Sequence, residues 1–229
     1  MKSLNNTPAV EVNGLNRFYG KVYGFFAMGL GLSALSAFLG MSVFPEQTAR
    51  FLSSFPLGLT GIWLLEIILV LLLGAKAKKN PSLTVAGFIV YSLLNGLVLS
   101  ITLAFYTPAI TEKAFLVAAV TFVAMSVIGT FTKRDLSGIG RAGLGLLIGI
   151  ILATLINFFM QSSTVDYFLS FVTVLIFVGL TAYDNQQIRK LYFATQGQEN
   201  TGFAAYMALS LYLDFINIFL SLLRIFSRD

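Results

Sequence analysis

Residues 203–226 read FAAYMALSLYLDFINIFLSLLRIF, an apolar run interrupted near its middle by one carboxylate, Asp214. A bilayer core of about 30 Å takes roughly 20 residues of helix at about 1.5 Å each, so length and composition make this stretch a membrane span. Asp214 gives it further meaning. An acid at mid-bilayer costs on the order of 3 kcal/mol to insert and normally faces a partner or a water-filled cavity. At about 100° per residue, Ser210, Asp214, Asn217 and Ser221 fall within about 60° of one another, while Leu and Phe fill most other faces. A polar seam of this kind lines a pathway or docks on another polar helix.

Six more stretches share the apolar character, at 22–44, 55–75, 82–106, 114–132, 142–160 and 167–188. Of the 229 residues, 57% are apolar and 11% charged, whereas soluble domains carry roughly 45–50% and about 25%. With a mean hydropathy of +0.84, there are too few charges to coat a water-facing surface, and a soluble enzyme is excluded. Cys and His are absent, which removes thiol nucleophiles, disulfides, Cys/His zinc sites, haem ligation and Ser-His-Asp triads. The five prolines (Pro8, Pro45, Pro56, Pro81 and Pro108) fall in the tail, at span ends or between spans, where a missing amide proton does least harm. Connections are short. The expected architecture is therefore an all-α membrane protein of seven transmembrane helices, one polytopic domain over 1–229, with residues 1–21 as an N-terminal tail. Ala34-Leu35-Ser36 has the small-x-small form of a signal cleavage site, but the apolar run continues past it, so the first segment reads as a span.

Basic residues alternate between loops. Lys2, Arg17 and Lys21 precede the first span; Lys76, Lys78 and Lys79 follow the second; Lys133, Arg134 and Arg141 follow the fourth; Arg189 and Lys190 follow the sixth. The opposite loops hold only Arg50 and Lys113. The positive-inside rule puts the N-terminus in the cytoplasm. Seven crossings would then leave Arg224 and Arg228 outside, so either the C-terminus breaks the rule or the last segment re-enters and returns. Small residues at four-residue spacing, Gly29-Ser33-Ala37 and Gly145-Gly149, suit close helix packing inside the bundle.

Gly138-Ile139-Gly140-Arg141-Ala142-Gly143 spells the dinucleotide fingerprint, which works only between a strand and a helix. At the entry to a membrane helix it predicts no cofactor. The basic loops lack interleaved aromatic platforms, so nucleic acid is not an expected partner. Three acids lie within spans: Glu66, Asp184 and Asp214. No basic residue lies near mid-bilayer to pair with them, and three such acids favour function over helix gluing. Glu66 is the exception. It has no polar neighbour at helical spacing except Thr60, and reads as a structural carboxyl with a pore ligand as the other possibility. The third span offers Ser92, Asn95 and Thr102 as a partial polar counterpart to the seam.

Thr181-Ala182-Tyr183-Asp184-Asn185-Gln186 at the end of the sixth span, Ala208 through Asn217 in the seventh, and Thr132-Lys133-Arg134-Asp135-Leu136-Ser137 between the fourth and fifth resemble the Bax-inhibitor family, transmembrane Bax-inhibitor-motif proteins, in its bacterial branch. The resemblance runs from about residue 15 to 228. It implies a seven-helix fold with the last helix central and wrapped by the other six, in a bacterial plasma membrane. It also implies a pH-sensitive calcium leak, with an aspartate pair near the cytoplasmic side as sensor. Those aspartates carry over onto Asp184 and Asp214, which would also be the calcium ligands. Bacterial relatives can have an arginine at the end of the second span that competes for one aspartate. Lys76 and Lys78 stand there as the basic latch, without arginine's bidentate pairing.

The physics agrees with that assignment. Two nearby carboxyls in a low-dielectric site cannot both ionise cheaply, and a shared proton would hold the two helices together. Calcium takes hard oxygen ligands, which an ionised pair supplies, so calcium is the expected permeant ion and no cofactor is expected. Helices ending near Arg189 and starting near Phe203 would put the two acids at depths differing by roughly 9 Å. Contact therefore requires the sixth helix to run past Arg189 or the seventh to start later. Two other readings compete. Paired aspartates in adjacent spans are similar to those of presenilin-type intramembrane proteases, but the Gly-x-Gly turn before the second aspartate and a later Pro-Ala-Leu segment are missing. Some bacterial relatives modulate a membrane-anchored AAA protease, which makes such a protease the runner-up partner.

Overall fold

The computed structural model describes residues 7–54, 58–197 and 200–228. Among them the regular secondary structure is all helical, with no strand. It comprises α1 (Thr7–Phe38), a π-helical turn (Leu39–Val43), α2 (Pro45–Ser54), α3 (Gly58–Lys76), α4 (Pro81–Leu103), α5 (Pro108–Phe131), α6 (Ser137–Met160), α7 (Ser163–Ala194) and α8 (Thr201–Phe226).

Six of these are long and apolar enough to cross a membrane: α1 with its π-turn, α4, α5, α6, α7 and α8. The protein is an integral membrane protein. The second expected span, 55–75, corresponds to α3, which is 19 residues long and about 28 Å at helical rise. Residues 55–57, including Pro56, lie outside the described residues, and α3 is not among the six. The chain adds α2, a short helix the hydropathy pattern did not mark. Three prolines open helices, at the first position of α2, α4 and α5, where the missing N–H would have had no intrahelical partner. Asn80 and Thr107 cap α4 and α5 by accepting from the amides of Leu83 (3.1 Å) and Ile110 (3.4 Å). Asn200 caps α8 through the amides of Gly202 and Phe203.

The chain forms two compact units, one of residues 1–105 and 192–212, the other of 106–191 and 213–229. In the first, α1 packs along α4, and α3 packs on α4. Gly96 lets the α1 backbone come close, since a Cβ there would stand 2.8 Å from the Ser33 Cα. Gly29 is likewise filled by Phe88 and Ser92, so the Gly29-Ser33 spacing works inside the fold as expected. Residues 7–21 continue α1 as helix, and Phe18 is buried against the Tyr192 ring, 5.8 Å between centroids.

In the second unit, α7 is seated on glycines. Gly129 of α5 meets the Ala182 backbone, Gly143 of α6 meets Leu180, and Gly140 meets the Tyr183 ring. The would-be dinucleotide fingerprint is thus partly a packing surface, with Gly140 and Gly143 used and Gly138 open. Gly145 and Gly149 differ from expectation. No atom lies within 4 Å of a Cβ built on either, and Leu144, Ile148, Ile151 and Leu152 beside them are exposed. Of an apolar 18-residue stretch of α6 only 6% is buried, against 67% of the corresponding stretch of α8. A helix hydrophobic all round can face lipid on most sides, so its small residues need no protein partner.

Candidate functional site

Asp184 and Asp214 both belong to the second unit. α7 does not end near Arg189; it runs on to Ala194, which places Asp184 about 15 Å from the helix end and Asp214 about 20 Å from the start of α8. The depth mismatch is thereby reduced to about 5 Å, by the first of the two routes open to it. The carboxyls are brought within electrostatic reach of each other. Asp214 is 3% exposed and Asp184 half-buried. Neither forms an ion pair among the described residues.

The Thr181 hydroxyl, one turn before Asp184, lies in hydrogen-bonding range of the Asp214 carboxyl. It also approaches the Phe177 carbonyl at 2.7 Å, so one hydroxyl proton faces two acceptors. Asp214 Oδ2 is buried with no hydrogen-bond partner among the described residues, and so is Ser221 Oγ. An unsatisfied buried carboxylate oxygen is costly. A proton shared with Asp184, or a cation, would satisfy it.

The same turn of α7 is held on two further sides. Asn185 donates to Ser126 Oγ of α5 at 3.1 Å and to the Thr181 carbonyl at 2.8 Å. Gln186 grips the loop between α5 and α6 at both ends of its amide. Its nitrogen donates to the Arg134 carbonyl at 2.8 Å, and its oxygen accepts from the Leu136 amide at 3.0 Å. Lys190, one turn on, donates to Asp135 at 2.5 Å and to Ser137 at 3.0 Å. Asp135 also accepts from the Ser137 amide and hydroxyl, and these donors, led by Lys190, hold its carboxyl down to about 2.

Asn217 spends its amide on the Leu213 carbonyl, 2.8 Å away, and Ser210 is half-buried. Lys76 and Lys78 are exposed at the end of α3 and make no ion pair among the described residues. Glu66 is buried and has a polar partner, Asn95 of α4, whose amide lies 3.1 Å from Oε1. That partner sits on a neighbouring helix, so spacing along α3 could not reveal it. The polar residues of α4 meet α8 through Tyr212 rather than through the seam; the Tyr212 hydroxyl lies 2.8 Å from Asn95 Oδ1. Tyr212 is two residues from Asp214, hence about 200° around the helix. A tyrosine hydroxyl inside an apolar run was the available signal for it.

α8 is one unbroken helix, so the last segment does not re-enter. Its C-terminal end lies with the starts of α5 and α7. Arg224 pairs with Asp166 at 4.0 Å, Arg228 donates to the Ser163 carbonyl and stacks over Tyr167, and Lys113 lies 4.3 Å from the Phe226 ring centre. Arg224 and Arg228 are thus both held by local partners.

A polytopic helical membrane protein with a carboxyl pair between its last two helices is the class these features define. The family model described as "Inhibitor of apoptosis-promoting Bax1" matches residues 15–229. The chain belongs to the Bax-inhibitor family. It is 46% identical over 216 residues to an uncharacterized membrane protein of Streptococcus pyogenes serotype M1, covering 94% of each chain. It is 41% identical to the uncharacterized protein YrjE of Lactococcus lactis, with 93% of this chain and 92% of the other covered. The inner membrane protein YbhL of Escherichia coli K12 is 38% identical, covering 94% of this chain and 93% of its own.

Proposed function

We propose that this protein is a calcium-permeable leak of the bacterial plasma membrane whose proton sensitivity resides in Asp184 and Asp214. The observation that carries the reading is the pair itself: two carboxyls in electrostatic reach, one with a buried oxygen that no side chain among the described residues satisfies. At low pH one proton bridges the pair and ties α7 to α8. At higher pH the second ionisation leaves two adjacent anions in a poorly solvated site, which favours separation or a hard cation between them. The proposal includes α3 as a seventh crossing, a cytoplasmic N-terminus and α8 at the centre of the bundle. The basic loops support the orientation, and the burial of α8 supports its central place. Calcium uptake into vesicles containing only the purified protein tests the reading. Uptake no faster than in empty vesicles at every pH would refute it.

A further inference from the structure

In the first unit, Glu66 stands at one end of a chain of four buried contacts. Its Oε1 meets the Asn95 amide at 3.1 Å, and the other end of that amide meets the Tyr212 hydroxyl at 2.8 Å. The Tyr212 hydroxyl meets Ser33 Oγ at 2.7 Å, and Ser33 Oγ meets two backbone carbonyls, that of Ser92 at 2.7 Å and that of Gly29, one turn back, at 3.0 Å. The four side chains, from α3, α4, α8 and α1, are all buried.

At these distances each contact needs a proton between its two heavy atoms, and one hydroxyl proton can be shared by two carbonyls. With the amide nitrogen toward Glu66, as the structure has it, Asn95 donates to Glu66 and Tyr212 donates to Asn95. Tyr212 then has no proton for Ser33, so Ser33 must donate to Tyr212. The contacts of Ser33 with the Ser92 and Gly29 carbonyls are left with acceptors alone and no proton. Turning the Asn95 amide over, a rotation that exchanges two ends of equal size, repairs the deficit only if one more proton is supplied. Ser33 then donates to the Ser92 carbonyl and shares that proton with the Gly29 carbonyl, Tyr212 donates to Ser33 and the Asn95 nitrogen to Tyr212. The Asn95 oxygen now faces Glu66, and a neutral carboxylic acid is the donor that completes the set.

We infer that Glu66 is a second proton-binding site, separate from the aspartate pair, and that its proton sets the direction of the hydrogen bonds running through Asn95 and Tyr212 to Ser33. Loss of the proton reverses every bond in the chain and breaks the tie between Ser33 of α1 and the α4 backbone. The titratable groups facing Glu66 are Tyr91 of α4 and Tyr212 of α8. α1 contributes only the Ser33 hydroxyl, and no ion pair to Glu66 exists among the described residues. The site stands whether or not the protein conducts calcium.

Infrared absorption of the full chain in lipid, with the glutamates carrying a carbon-13 carboxyl, tests this without interference from Asp184 and Asp214. The other glutamates are Glu11, Glu46, Glu112 and Glu199, and the Glu66→Gln variant assigns the band among the five. A labelled carboxylic-acid carbonyl band is expected at neutral pH. It should vanish in Glu66→Gln, whose amide N–H takes the acid's place as donor, shift in Tyr212→Phe, and stay unchanged in Asp214→Asn. On alkalinisation it should be lost together with a change in the tyrosine hydroxyl bands. Absence of the acid band from the labelled wild type at neutral pH overturns the proposal, and this reading needs no variant to fold. A band whose position is the same in Tyr212→Phe overturns the coupling through Asn95.

Discussion

Replacing Gly129 with alanine sets a methyl group against the α7 backbone where no side-chain rotation can relieve it. The added Cβ would stand 2.7 Å from Ala182 Cα and closer still to its carbonyl oxygen, whereas ordinary contact begins at 3.4 Å. α5 and α7 must therefore separate by at least about 0.7 Å at their crossing, two residues before Asp184. Overpacking of this kind costs about 1–3 kcal/mol, of which up to about 1 kcal/mol is offset because alanine is the better helix former. At about 2–4 °C per kcal/mol for a chain of this size, the melting temperature of the purified protein should fall by a few degrees. Gly145→Ala is the internal control, since nothing lies within 4 Å of its Cβ; it should leave the melting temperature unchanged or slightly raised. Thermal unfolding of both variants in one detergent checks the pair. Equal melting temperatures for Gly129→Ala and wild type, or an equal loss in Gly145→Ala, would refute the packing account.

Gln186→Ala removes both hydrogen bonds to the 132–136 loop and should cost about 2–3 kcal/mol, because two backbone groups lose their partner. Gln186→Glu keeps only the acceptor, so hydrogen exchange at the Leu136 amide should speed up in the alanine variant and stay slow in the glutamate one. Asp135 is held below its unfolded value of about 3.9, so its contribution is complete at neutral pH and is lost as pH falls through about 4 toward about 2. Exchange in residues 132–137 should accelerate over that window in wild type and lose the dependence in Asp135→Asn; because the pair is exposed, added salt should weaken it too. Single cysteines in this Cys-free chain should label from one side of intact cells at positions 78, 134 and 190 and from the other at 108 and 228; labelling of 78 and 108 from the same side would contradict the proposed orientation.

Much of this fold can be read directly from hydropathy, because a span is defined by its length against a bilayer of fixed thickness. The helices containing Asp184 and Asp214 were visible for that reason. Their ends were not. α7 continues through Gln186, Arg189 and Lys190 to Ala194 while Gln186 and Lys190 find partners in the α5–α6 loop and at the start of α6, and hydropathy stops counting where polarity begins. The seam on α8 was legible from helical spacing. Its use was not, since Asn217 turns to its own backbone while Tyr212, on another face, makes the contact to Asn95. The partner of Glu66 was hidden for a simpler reason: Asn95 is near only once α3 and α4 are packed. The glycine patterns split, Gly140 and Gly143 serving α7 while Gly145 and Gly149 face outward, because spacing records which residues are small and says nothing of what approaches them.

The central claim is that Asp184 and Asp214 act as one titrating unit that governs a calcium leak. Calcium flux in proteoliposomes of the pure protein, followed across a pH series for wild type, Asp184→Asn, Asp214→Asn and the double variant, tests it most directly. Each single variant should still fold, keep a flux, and lose most of its pH dependence, because an amide does not titrate in that range. The double variant should be little different from either single one, as coupled sites are non-additive. A pH profile like that of wild type in both single variants would contradict the claim and leave Asp214 as a carboxyl that only packs α7 against α8.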